Sequence, residues 1–127
     1  AHYASFEKEI LPLCQEQGIG VVGMKSMADG HLFESGAQIT PAEALRYALN
    51  LPLSTLVSGI DSLEILEENL AVARDLRPFS EEERADLLAR SAPASADGRF
   101  EPFKTTRNYD ANEGRVAHSY PLIGAAD

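Results

Sequence analysis

The sequence predicts an α/β protein in which parallel strands are covered by helices. Its elements are expected in the order helix, strand, helix, strand, helix, helix, and such alternation indicates a parallel sheet. The two predicted strands, residues 19–24 and 53–57, are short, apolar and flanked by glycine or proline, as buried strands usually are. Two strands leave their outer edges unpaired, so we expect further elements outside this chain or from another copy.

The first predicted helix covers residues 1–18 and leads into a turn. Apolar residues recur there at helical spacing, at Phe6, Ile10, Leu13 and Cys14. Pro12 should kink or restart this helix, because it lacks an N–H and clashes with the preceding turn. Gly18 suits the left-handed position after a helix end. A loop over residues 25–32 is expected after the first strand.

The second predicted helix has a well-defined start and end. Thr40 can cap it, Pro41 fits its first position, and Glu43 completes a capping box. Asn50 and Pro52 should end it.

The stretch 53–70 passes from the second strand through Gly59 into a helix that Asp61 is expected to cap, with Glu64 at its third position. Such a layout forms an anion site, because the first helical N–H groups lack partners within the helix. The same layout also occurs in parallel α/β proteins that bind nothing there. The predicted core face of this helix consists of Leu63, Leu66, Leu70 and Ala73.

A further capping box, Ser80–Glu83, is predicted to open a helix that ends near Arg90. From Ser91 the composition shifts to small and polar residues. We therefore divide the chain into residues 1–90 and an irregular C-terminal extension, 91–127, which packs a few aromatic rings on a surface or is partly disordered.

Composition excludes several classes of function. The chain has 20 acidic and 11 basic residues and a net charge of −9, which disfavours nucleic acids and anionic membranes as partners. Cys14 is the only cysteine, which favours a reducing compartment, and we expect a cytoplasmic location unless a parent chain carries a targeting signal. No apolar run reaches the roughly 18 residues of a membrane span. No metal site is expected from the scattered histidines, His2, His31 and His118.

Several short motifs occur in a specific order and spacing. They are Gly18–Lys25, Ala28–Gly30, Thr40–Leu49, Ser58–Gly59 and Leu66–Asn69. Together they resemble the C-terminal part of an aldo-keto reductase, over roughly residues 5–90. The fold of that family is a (β/α)8 TIM barrel. The resemblance implies that this chain supplies the last two βα units and the C-terminal helix of an incomplete barrel.

The resemblance also implies a reaction and indicates which part of the barrel supplies the catalytic residues. Aldo-keto reductases transfer a hydride between NADP(H) or NAD(H) and a small carbonyl or alcohol substrate. The catalytic tetrad of the family lies in the N-terminal half of the barrel, so no residue of this chain is assigned to catalysis. We therefore expect a cofactor-binding portion, inactive alone, whose partner is the missing half-barrel or a second copy. The alternative is a non-enzymatic partial barrel that acts as a nucleotide-binding or interaction module.

Three predicted cofactor contacts follow the first strand. By resemblance, Lys25 and Ser26 contact the pyrophosphate, for which lysine offers a point charge and serine a hydroxyl. Gly30 would let the backbone approach the ligand closely. The alternatives are a solvated loop lysine and an ordinary turn glycine.

Four more predicted contacts follow the second strand. By resemblance, Ser58 and Gly59 bind the phosphate at the adenosine end, and Glu68 and Asn69 bind the adenine edge. The alternatives are a plain strand–helix turn and polar residues at a helix boundary.

The second strand and its helix depart from NADP-preferring relatives, which place basic residues here. No basic residue lies between Arg46 and Arg74. Four acidic residues occur instead: Asp61, Glu64, Glu67 and Glu68. Because carboxylates repel a 2′-phosphate, we expect a weakened preference for NADP and acceptance of NAD.

Overall fold

The computed structural model describes residues 3–105 and 112–122 of the chain. Helices make up 54% of it, and each of its two strands has two residues. The elements are α1 Phe6–Glu9, α2 Leu11–Glu16, β1 Val22–Gly23, a 3-10 turn Ala28–Gly30, α3 His31–Glu34, α4 Pro41–Leu49, β2 Thr55–Leu56, α5 Leu63–Arg74, α6 Glu81–Ser95, α7 Pro102–Thr105 and α8 Asn112–Ala117. No helix among these residues is long and apolar enough to cross a membrane.

The prediction that this chain forms the C-terminal βα units of a TIM barrel is wrong, because the structure is a small mixed helical domain. β1 and β2 do pair in parallel, with Val22 opposite Thr55 and Gly23 opposite Leu56. Outside these pairs, the N–H of Ser54 donates to the carbonyl of Val21 and that of Val57 to the carbonyl of Gly23, both at 2.8 Å. The ladder is therefore much shorter than the strands predicted at 19–24 and 53–57.

The strand pair is also more exposed than predicted. Val22 is 59% exposed, and Met24, just after β1, is 64% exposed. A parallel sheet is buried only when helices cover both of its faces. The described helices leave these side chains uncovered, so the apolar sequence of the strands does not by itself bury them.

The first helical segment restarts at its proline, as predicted. α1 ends at Glu9, and Pro12 occupies the first turn of α2, where the missing N–H costs nothing. Gly18 has φ +66°, so the predicted left-handed residue after the helix is confirmed.

Both predicted capping boxes are present. The Thr40 hydroxyl accepts from the N–H of Glu43 at 3.2 Å, and the Glu43 carboxylate accepts from the N–H of Thr40 at 2.8 Å. In the second box the Ser80 hydroxyl accepts from the N–H of Glu83 at 3.1 Å, and the Glu83 carboxylate accepts from the N–H of Ser80 at 2.9 Å. Each pair satisfies two N–H groups that a helix start leaves free.

α5 differs from its prediction in cap and burial. Its cap is Ser62, whose hydroxyl accepts from the N–H of Ile65 at 3.2 Å, and not Asp61. Serine and aspartate cap equally well, and the chain enters the helix one residue later than expected. No residue of α5 is buried, and Leu63, predicted on the core face, is 70% exposed.

The core lies between α4, α6 and the segment that precedes α4. Its buried cluster consists of Ala37, Ile39, Ala44 and Leu87, with Met27, Leu32, Tyr47 and Phe79 packed against it. Leu45 is buried as well. α6 continues past the predicted end at Arg90 to Ser95. Part of the predicted extension 91–127 lies outside the described residues. His2 also lies outside them.

Arg46 joins α4 to the start of α6. Its guanidinium donates to the carbonyls of Arg77 and Pro78 at 3.0 and 2.8 Å. It also forms a two-bond pair with the Glu83 carboxylate, at 3.1 and 3.0 Å, and its central carbon lies 4.0 Å from the Phe79 ring centroid. One side chain therefore holds the connection from α5 and the first turn of α6 against α4.

Candidate functional site

The loop after β1 presents Lys25 and Ser26. The Lys25 ammonium pairs with the Asp29 carboxylate at 2.8 Å, and both side chains are largely exposed. Lys25, Ala28 and Asp29 have φ between 51° and 54°, a region that residues other than glycine rarely adopt. Such conformations persist only where the surrounding structure holds them, and they cluster at binding loops.

Gly30 ends this loop at the start of α3. Its φ is +91°, which explains why glycine occurs there. A Cβ at this position would meet no atom within 4 Å. Local backbone conformation therefore accounts for the residue, and its predicted close approach to a ligand stays a prediction.

The loop after β2 brings three of the predicted residues together. The Asn69 side-chain amide donates to the Ser58 hydroxyl at 3.0 Å and to the carbonyl of Gly59 at 3.4 Å. The Ser58 oxygen accepts this bond, which leaves its own O–H able to donate elsewhere. Glu68, the neighbour of Asn69 on α5, is exposed. The second turn of α5 is thus held beside the loop that follows β2.

The two loops leave the same edge of the strand pair, but their side chains line different cavities. Lys25 and Ser26 line a cavity of about 450 Å³ against α1, α4 and α6. Glu68 and Asn69 line a separate depression with Pro41. The structure therefore does not join the predicted cofactor contacts into one pocket.

Four acidic residues surround the start of α5. All of them are exposed: Asp61, Glu64, Glu67 and Glu68. Within the described part of the chain, none forms an ion pair with a basic side chain. An anion at this end of β2 would meet carboxylates that no neighbouring cation neutralises.

The larger cavity contains a polar cluster that the sequence did not predict. The Tyr47 hydroxyl donates to the Glu7 carboxylate, at 2.9 and 2.8 Å from its two oxygens, and Nη2 of Arg84 donates to the same group at 2.9 Å. Burial and the bond to Glu7 raise the pKa of Tyr47 to about 12, so this phenol stays protonated at neutral pH. Tyr47 follows Ala44 by one helical turn, and Arg84 precedes Leu87 by one turn. This spacing places both on buried faces without identifying their partners.

No group of histidine, cysteine, aspartate and glutamate residues suited to a metal ion occurs in the described ranges. No family model, curated protein or solved structure matches this chain.

Proposed function

We propose that this chain binds a nicotinamide dinucleotide, NADP(H) or NAD(H), at the edge where β1 and β2 end. The chain would serve as the cofactor-binding portion of an aldo-keto reductase-like oxidoreductase acting on a carbonyl/alcohol pair. The observation that carries the proposal is the bond from Asn69 to Ser58, which holds α5 beside the loop after β2. Ligands of parallel strand–helix units commonly bind at this edge.

The adenosine end of the cofactor belongs at the second loop. There the Ser58 hydroxyl and the first N–H groups of α5 would donate to a phosphate. Both N–H bonds of the Asn69 amide are used by Ser58 and Gly59, so its carbonyl oxygen and the Glu68 carboxylate would accept from the adenine amino group. Lys25 and Ser26, on the first loop, would meet the pyrophosphate as a cation and a hydroxyl.

The proton-transfer groups of the reaction would come from a partner polypeptide, either a missing N-terminal portion or another copy. The exposure of Val22 and Met24 beside β1 supports such a partner, because apolar side chains gain stability when a second surface covers them. The small carbonyl substrate would be held mainly by that partner.

The Asn69→Ala variant tests the adenosine site. We expect its dissociation constant for NAD to rise about tenfold. The change removes the proposed bond between Asn69 and the adenine, and it also removes the donor that holds the Ser58 hydroxyl in place. Isothermal titration calorimetry on the 127-residue chain measures this. Gln15→Ala removes an amide from the exposed surface of α2 and should bind like the unchanged chain. Equal affinities of the two variants, or no binding by the unchanged chain, would overturn the proposal.

The acidic start of α5 gives an expectation for cofactor preference. A 2′-phosphate beside Asp61, Glu64 and Glu67 meets their repulsion, and no basic side chain of residues 3–105 or 112–122 forms an ion pair with these carboxylates. We expect the dissociation constants for NAD and NADP to lie within about tenfold of each other. Calorimetric titration of the chain with each cofactor measures this ratio. A preference for NADP of roughly a hundredfold or more would contradict the role given to these carboxylates.

A further inference from the structure

The cavity of about 450 Å³ has the size and lining of a small-molecule site. α1, α4, α6 and the loop after β1 form its walls. Most of this lining is apolar, with contributions from Leu32, Ile39, Ala44, Leu87 and Ala92. A ligand that fills it must therefore present an apolar body, because burying polar groups against such walls is costly.

Arg84 provides the polar anchor of this cavity. Its Nη2 bonds to Glu7 and to the Tyr47 hydroxyl, whereas its Nε and Nη1 make no hydrogen bond to any residue that the structure describes. The side chain is 37% exposed. A guanidinium carries five donors in a planar fork that matches the two oxygens of a carboxylate. The Glu7 charge is already shared between Tyr47 and Arg84.

The charge around the cavity is opposite in sign to that of the whole chain. Three basic side chains line it, those of Lys8, Lys25 and Arg84, against two acidic ones, those of Glu7 and Glu101. Lys25 pairs with Asp29, and Glu101 pairs with Lys104. A basic site within a chain of net charge −9 favours an anionic ligand locally.

We propose that this cavity binds a monocarboxylate with an extended apolar body. The carboxylate accepts from Arg84, and the apolar body lies along α4 and α6. The site is anchored at Arg84, which has no part in the nicotinamide proposal. Of the proposed cofactor contacts, Glu68 and Asn69 line a different depression, whereas Lys25 and Ser26 line this cavity as well.

Octanoate is the probe, titrated calorimetrically into the full chain. Octanamide has the same length without the charge, and butyrate has the charge with a shorter body. We expect octanoate to bind at least about tenfold more tightly than either, because it alone uses both the guanidinium and the apolar walls. Octanamide or butyrate binding as tightly as octanoate would overturn the proposal, as would no binding of octanoate.

Two variants separate the roles of charge and space. Arg84→Gln removes the cation, and Ala92→Leu adds three carbon atoms to the cavity wall while keeping Arg84. Each should weaken octanoate binding at least about tenfold. Arg74→Gln, a change at an exposed arginine of α5, is the matched control and should bind normally. Circular dichroism checks that each variant is folded. If Arg84→Gln is unfolded, the octanoate affinity of Ala92→Leu alone tests the site.

Retained octanoate affinity in a folded Ala92→Leu variant would refute the site. NAD and octanoate titrations of Asn69→Ala distinguish this proposal from the preceding one. This variant should weaken NAD binding and leave octanoate affinity unchanged, because Asn69 lines a different depression.

Discussion

Replacing Leu45 with alanine is expected to lower the free energy of unfolding by about 2–5 kcal/mol. Leu45 is 3% exposed on α4, within a core of few buried side chains. The substitution removes three carbon atoms from water-free surroundings and leaves a cavity that the neighbours fill only partly. Urea unfolding followed by circular dichroism measures the change as a shift of the midpoint at constant slope.

Leu63→Ala provides the matched control, because it makes the same chemical change at a residue that is 70% exposed on α5. Its effect should stay within about 0.5 kcal/mol, as for most surface substitutions. Equal losses for the two variants would show that α4 does not pack as described.

The second large effect is expected from Arg46→Gln. The change removes the bonds to the carbonyls of Arg77 and Pro78 and the two-bond pair with Glu83. The Arg77 carbonyl keeps the Asn50 amide as a donor, and Glu83 keeps the N–H of Ser80, but both lose their charged partner. We expect a larger drop in stability at pH 7 than from Arg77→Gln. Among the described residues the Arg77 guanidinium pairs only with Asp75, and both of those side chains are 75% exposed.

This effect should depend on pH through Glu83. The bond from Arg46, followed by the N–H of Ser80, lowers the pKa of Glu83 from 4.5 to about 2. A lowered pKa stabilises the folded chain above pH 4.5, and this contribution is lost as the pH falls from 4.5 towards 2. Arg46→Gln should therefore destabilise the chain more at pH 7 than at pH 2, measured by urea unfolding. An equal loss at both pH values would contradict the assigned pair.

The features that sequence predicted correctly depend on residues close together in the chain. Thr40 and Glu43 form their capping box because both partners lie within one turn, and the Pro12 restart follows from ring geometry alone. Gly18 adopts a conformation that glycine tolerates best. Each of these needs no information about distant parts of the chain.

The features that sequence missed depend on partners far along the chain. An apolar strand is buried only if other elements cover it, and here Val22 stays exposed. Glu7, Tyr47 and Arg84 lie on three helices, and no spacing within one helix shows that they meet. Of the predicted cofactor residues, only Ser58, Gly59 and Asn69 are brought into contact, and their role stays a prediction.

The short parallel pair of β1 and β2 has a consequence for assembly. Within the described part of the chain it is a two-stranded sheet, so the outer backbone groups of both strands can template another strand. Two copies approaching through these edges each carry a charge of −9, and their repulsion weakens as salt shortens the Debye length. At low ionic strength the edges therefore favour a less acidic polypeptide over a second copy.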